Sequence, residues 1–208
     1  MGNNMLTAQE ALERLKQGNE RFVNGKSSIP DLVSQEHREQ LTADQNPFAI
    51  ILGCSDSRVP AEIVFDQGLG DLFVIRVAGN IVAPSQVGSV EFAAERYDCA
   101  VVVVLGHSHC GAVQATIDTL MNPENPPSNN LMSIVNRVRP SVEILMQTEL
   151  KHDLCKLSEH AVRSNVFASV NQLRHGSAVL ETLIAKGKMI VVGAEYSLET
   201  GKVNFIDF

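Results

Sequence analysis

Gly53-Cys54-Ser55-Asp56-Ser57-Arg58 and Gly106-His107-Ser108-His109-Cys110-Gly111 are the two stretches around which this chain is organised. Each follows a short apolar run, residues 48–52 in one case and 100–105 in the other, and then breaks into glycine and small polar residues. That is how a chain leaves a sheet. In an open α/β sheet, adjacent parallel strands deliver such loops to one edge, where ligands bind. The two loops offer two thiols, one or two imidazoles and a carboxylate, a soft mixed set that suits zinc. A lone cysteine is ordinarily a small buried hydrophobe. Two of them, each in a glycine-flanked polar loop just after a strand, read better as ligands. His107, three residues before Cys110, reaches the same ion from a loop entering a helix. Cys54, His107 and Cys110 leave a fourth position open, as catalytic zinc requires, whereas Asp56 as a fourth ligand would close it. Arg58 is near enough to pair with Asp56 and draw its carboxylate off the metal. His109 faces elsewhere, and Cys99 and Cys155 read as ordinary buried cysteines.

Composition narrows the remaining classes. A chain of 208 residues with 44% hydrophobic content supports one core, hence a single domain over residues 1–208. Seventeen basic residues against 24 acidic ones, with no basic cluster, argue against a nucleic-acid partner. The longest apolar run, residues 99–105, is too short to span a membrane, and residues 1–20 lack the apolar core of a secretory signal. Four cysteines do not make a disulfide scaffold at this size. The expectation is a cytoplasmic protein.

Outward from the two loops, Thr7-Ala8-Gln9-Glu10 is a capping box for a first helix that Asn24-Gly25 ends. Asp31 is placed to cap a second helix reaching about Ala43. These residues form an N-terminal arm (1–44) that packs either on its own domain or over a partner subunit. A short helix follows Pro60, a strand covers residues 72–77, and Ala78-Gly79-Asn80 is a loop. A helix is expected over residues 89–97 and another from Cys110 to about Met121. Residues 122–130, with three prolines, read as an exposed loop. Residues 131–175 are helical, divided near Pro140 and His152, and a further helix covers 177–185. Strands at 189–193 and 203–206 flank Glu199-Thr200-Gly201, a hairpin signal. The fold class is therefore α/β: a mostly parallel central sheet with an antiparallel edge strand, flanking helices and the N-terminal helical arm.

Cys-Ser-Asp-Ser-Arg, the Gly-His-Ser-His-Cys-Gly loop and the intervening Phe-Val-Ile-Arg-Val-Ala-Gly-Asn resemble the β-class carbonic anhydrases, most clearly over residues 40–118. The resemblance implies one Zn2+ per chain on Cys54, His107 and Cys110, with Asp56 and Arg58 as the catalytic dyad. It also implies a carbon dioxide pocket drawn from Gln45, Phe73, Ala78, Phe92 and a backbone donor at Gly111. The implied activity is reversible hydration of carbon dioxide to bicarbonate and a proton through zinc-bound hydroxide. The implied assembly is a homodimer or a dimer of dimers, with the arm embracing the neighbour. A subgroup of the family has a second bicarbonate site made by Trp, Arg and Tyr. Arg76 and Tyr196 match it, but Ile51 stands at the Trp position and the chain has no Trp. A proton must also reach buffer, and His109 is the candidate carrier.

Three other readings compete. A thiol-nucleophile phosphatase leaves the second loop unexplained. A structural zinc protein would keep Asp56 permanently on the metal. A carbon disulfide or carbonyl sulfide hydrolase uses the same metal chemistry with a different access route.

Overall fold

The computed structural model describes residues 6–29 and 34–206. Four strands run parallel: β1 (Ala49–Gly53), β2 (Leu72–Arg76), β3 (Val101–His107) and β4 (Ile190–Tyr196). A fifth, β5 (Val203–Ile206), is antiparallel to β4 at the edge, and the order across the sheet is β2-β1-β3-β4-β5. Every residue of β1 and β3 is buried, which is why these segments read as unbroken apolar runs rather than as alternations. Gly53 pairs with Leu105, so the carboxyl ends of the two strands are almost level. Cys54 and His107 therefore emerge at one edge. β3 runs two residues further than the apolar run suggests, making His107 its last residue, paired with Tyr196.

Helices cover both faces. On one, Ile50, Leu52, Val102 and Val104 pack against α4 (Pro84–Tyr97), α7 (Leu154–His175) and α8 (Ala178–Ala185) through Val90, Val166, Val170 and Leu180. On the other, Ala49, Ile51, Val101 and Val103 are covered by Ala11 and Leu15 of α1 (Ala8–Val23) and by Val64 and Phe65 at the end of α3 (Ala61–Val64). A third cluster gathers Cys54 and Cys110 with α5 (Gly111–Met121), α6 (Asn129–Met146) and α7. That cluster is the apolar wall behind the two loops.

Several expectations shift. The helix expected over 89–97 starts at Pro84, whose fixed φ and missing N–H suit a first turn. Ala78–Asn80 is a single 3-10 turn rather than an open loop. Pro140 lies inside α6 instead of dividing it. Val135, Val138, Ser141 and Val142 keep one buried face across it, while Pro140 itself faces outward, so packing outweighs the lost hydrogen bond. Cys155 is exposed near the start of α7, not buried as expected. In the arm, α2 (Gln35–Gln40) is shorter than expected and starts from Ser34, whose hydroxyl accepts the His37 N–H at 3.2 Å. Asp31 lies outside the described residues. No described helix is long and apolar enough to cross a membrane.

Within the single chain, α1 is seated on its own sheet. Its capping box forms as read, with Thr7 and Glu10 exchanging hydrogen bonds. Gly18 permits the close approach, because a Cβ there would meet the Phe65 carbonyl oxygen at 1.8 Å. Asn19 donates to the carbonyls of Val64 and Gly201 and accepts the Val203 N–H at 2.8 Å. Asp66, just past α3, is the charged counterpart. Its buried carboxylate accepts from Arg21 at 2.5 Å, from both Ser27 and Ser28 hydroxyls and from the Ser28 N–H.

Burial alone would raise the Asp66 pKa, but the Ser27, Arg21 and Ser28 bonds outweigh it and bring the pKa down to about 2. A carboxylate depressed in the folded state contributes stability that is complete above its unfolded pKa and is lost as pH falls through the folded value. The contribution is on the order of 2 kcal/mol. Asp66→Asn should therefore lower stability by about that much at pH 7. The gap between the two proteins should narrow as pH falls toward 3, measured by denaturant unfolding. An unchanged gap would mean that the ion pair is not the source.

Candidate metal centre

Three buried donors converge at the carboxyl edge of β1 and β3. The ligand atoms of Cys54, His107 and Cys110 all lie within 4.8 Å of one another. His107 is fully buried and Cys110 nearly so. His107 Nδ1 sits 2.9 Å from the Ser108 carbonyl oxygen, which can only accept, so the proton resides on Nδ1 and the Nε2 lone pair faces the thiols. Nε2 is one of two buried side-chain polar atoms with no hydrogen-bond partner among the described residues. An orphaned imidazole nitrogen facing two sulfurs is costly unless a cation completes the set. Cysteine, histidine and cysteine also match the ligand types of three-ligand zinc sites. The residues present thus fit a zinc ion.

The sulfurs are tuned by their surroundings. Cys110 occupies the N-cap of α5, where helix N–H groups favour a thiolate. The Gly79 N–H donates to Cys54 Sγ at 3.3 Å. Without a cation the two thiols share their protons unequally. The Cys110 hydrogen bond draws the Cys54 pKa well down against its burial, and Cys110 rises correspondingly. Burial presses the His107 pKa down, yet the Cys54 thiolate beside it wins and the net shift is upward. A divalent ion would take over the role of these shared protons.

Asp56 borders the centre without joining the cluster. Arg58 grips it at both oxygens, Nε to Oδ1 at 2.9 Å and Nη2 to Oδ2 at 2.8 Å, and the Arg58 backbone N–H adds a third bond at 3.0 Å. This bidentate hold keeps the Asp56 carboxyl well below the usual carboxylate range. Oδ2 still lies 3.9 Å from His107 Nε2, so the carboxylate faces the space that the imidazole addresses. The loop backbone is fixed from β2. Arg76 pairs with Gly53 in register and donates to the carbonyls of Cys54 at 3.0 Å and Asp56 at 2.5 Å. Ile51 and Tyr196 are buried in the cluster beneath α1.

The remaining site candidates divide into two groups. Ala78 and Gly111 adjoin the centre, one beside the Gly79 donor and the other at the first turn of α5. Gln45, Phe73 and Phe92 do not. Phe73 pairs with Ile50, about three residues back from the carboxyl edge, and Gln45 precedes β1 at the opposite edge. Phe73, Phe92 and Tyr97 form an aromatic cluster with centroids about 6 Å apart, to which Gln45 bonds through the Tyr97 hydroxyl at 3.0 Å. His109 has φ 55° and its exposed ring meets Glu199 at 2.6 Å; both line a cleft of about 410 Å³ together with Cys155 and Glu195. Arg76 as a loop clamp and Glu199 as the partner of His109 are not legible from the two motifs. Both depend on which strands become neighbours.

Comparisons with known proteins agree with this geometry. The sequence profile of the family described as carbonic anhydrase matches residues 49–203. Carbonic anhydrase 2 of Mycobacterium tuberculosis is 41% identical over 192 residues, covering 92% of this chain and 89% of the relative. The carbonic anhydrase of Pseudomonas aeruginosa is 32% identical over 177 residues, covering 81% and 77%. Among solved structures, the β-carbonic anhydrase CcaA superposes with a TM-score of 0.73 at 27% identity, covering 94% of this chain and 95% of the other. A tetrameric β-carbonic anhydrase of Sordaria macrospora has the same TM-score at 22% identity, covering 84% and 88%, a likeness of fold.

Purified protein should contain about one zinc per chain, and Cys54→Ser or Cys110→Ser should each abolish most of it by metal analysis. In the zinc-loaded protein a thiol reagent should label Cys155 quickly. Cys99 should stay inert, because it is buried and burial pushes its pKa up to about 12. Full zinc retention in both serine variants would overturn the ligand set.

Proposed function

The chain belongs to the carbonic anhydrase family, β class, and from that premise we propose that Cys54, His107 and Cys110 hold one zinc ion and that Asp56 with Arg58 forms the catalytic dyad. The enzyme catalyses the reversible hydration of carbon dioxide to bicarbonate and a proton. The observation that carries the site assignment is the convergence of three buried donors beside an Asp held away by Arg.

Zinc, when bound, supplies the nucleophile by bringing the pKa of water toward neutrality, so that hydroxide is available to attack carbon dioxide. With the ion bound, Asp56 would accept a hydrogen bond from the attacking hydroxyl and so orient it toward the substrate carbon. It can do this only while ionised, and the Arg58 fork keeps it so. The same fork keeps the carboxylate from becoming a fourth ligand, which would exclude water. Arg76 holds the backbone from which both Cys54 and Asp56 project. Gly111, at the first turn of α5, offers a backbone N–H that would serve as a donor to a developing bicarbonate oxygen. His109, exposed and paired with Glu199, carries the released proton toward buffer.

Gln45, Phe73 and Phe92 complete the carbon dioxide pocket in this proposal, with Ala78 and Gly111. Because the first three lie away from the centre of their own chain, they serve a centre contributed by a second copy. This reading requires a homodimer or a dimer of dimers. The Phe92 ring, 54% exposed in the single chain, is the natural contact. Reduced thiolates at Cys54 and Cys110 suit a cytoplasmic setting.

Stopped-flow hydration of carbon dioxide tests the assignment. Zinc-loaded wild type should be active. Arg58→Ala should keep its zinc yet lose about a hundredfold or more in kcat, because Asp56 is freed to close the metal. Asp56→Ala should also be impaired, but with its fourth position still open to water. An Arg58→Ala protein as active as the wild type would refute the gate. Carbonyl sulfide turnover outpacing hydration would reassign the substrate.

A further inference from the structure

Asn165 is an unusual residue for its position. It lies mid-way along α7, is 2% exposed, and sits on a face built mainly of Leu157, Ala161, Val162, Val166 and Val170. Asparagine is a poor helix former, and its amide is expensive to bury without a partner. Its partner is a single backbone group: Nδ2 donates to the Gly79 carbonyl at 2.7 Å. One turn on, Ser169 donates to the next carbonyl, that of Asn80, at 3.1 Å. Two consecutive peptides of the 78–80 turn are therefore held from one helix.

That turn presents the donor to the metal centre. Gly79 is left-handed, φ 72° and ψ 20°, and its N–H points at Cys54 Sγ, 3.3 Å away. On the other side the turn is tied to β1, since Val77 N–H bonds Gly53 O and Asn80 N–H bonds Val77 O, each at 3.1 Å. There is little slack, because a Cβ on Gly79 would meet Ala112 Cβ at 3.0 Å. The Gly79 N–H belongs to the 78–79 peptide, which can turn only by opposed changes in ψ of Ala78 and φ of Gly79, so it is fixed once the chain is held on both sides of it. The bond from Asn165 fixes the peptide that follows.

We propose that Asn165 is a positioning residue of the metal centre, aiming the Gly79 N–H at the Cys54 sulfur. The proposal rests on the zinc assignment above and extends it to the tuning of one ligand. An N–H donated to a thiolate withdraws charge that the sulfur would otherwise give to the metal. Groups beyond the ligands that orient or polarise them commonly change affinity or activity by about 10- to 100-fold. In a centre with two thiolates, trimming the charge of one makes the ion a stronger Lewis acid. The buried amide of α7 thereby acts on reactivity without touching substrate or metal.

Cobalt-substituted protein gives a readout besides activity. Asn165→Ala should keep one metal per chain and shift the sulfur-to-cobalt charge-transfer band to longer wavelength, because the sulfur becomes a better donor. Its kcat/KM for hydration should fall about tenfold at neutral pH and recover at higher pH. Asn19→Ala, which removes similar buried amide–carbonyl bonds from α1 to the end of α3 and to the turn before β5, should lose stability without moving the band or the pH profile. Should Asn165→Ala not fold, Asn165→Ser leaves a smaller cavity and should give the same band shift in reduced measure. A band and pH profile unmoved in the folded Asn165 variant would overturn the proposal. Absence of the band from wild-type cobalt protein would instead overturn the thiolate site itself.

Discussion

Three buried donor atoms within 4.8 Å of one another, two sulfurs and an imidazole nitrogen, are the constraint on which the rest of this structure depends. Among the described residues, none donates a hydrogen bond to the His107 Nε2 lone pair. Two adjacent parallel strands must end level for the cluster to exist, and the Gly53–Leu105 register provides that. The wall behind it comes from α5, α6 and α7, which remove water from one side of the sulfurs. A cation would complete such an arrangement, and metal binding at it would add to the stability of the fold.

The polar groups at the rim act mainly through backbone. Arg76 grips two carbonyls of the Cys54–Asp56 loop, Gly79 lends an N–H to a sulfur, and Asn165 holds Gly79. Asp56 and Arg58 instead meet through paired side-chain charges. The Arg58 fork is partly exposed, and an isolated pair of that kind would add little stability. In the proposed mechanism its significance is geometric: it would decide whether a carboxylate or water takes the remaining position at a bound metal. Stability of the fold rests elsewhere, in the apolar faces of the sheet and in the tie between α1 and Asp66.

Much of this was legible because local chemistry and tertiary placement agree. The run Ala100 to Leu105 has no polar alternation, which only a strand buried on both faces tolerates, and it proved to be the sheet centre. Cys54, His107 and Cys110 announce themselves because cysteine in a polar glycine-flanked loop has few structural uses. Where tertiary packing outweighs local preference, the sequence misleads. Pro140 marks a break by its own chemistry, yet the buried stripe on either side of it keeps α6 continuous. Cys155 looks like a core residue by type but lies on the exposed side of α7. Arg76, Glu199 and Asn165 act on residues 20 to 90 positions away, and no local pattern encodes such pairings.

X-ray absorption at the zinc edge of the wild-type protein at neutral pH tests the centre most directly. The account predicts a four-coordinate shell with two sulfurs at about 2.3 Å, one imidazole and one further light ligand. A shell with one sulfur or none, or with four sulfurs, would contradict it.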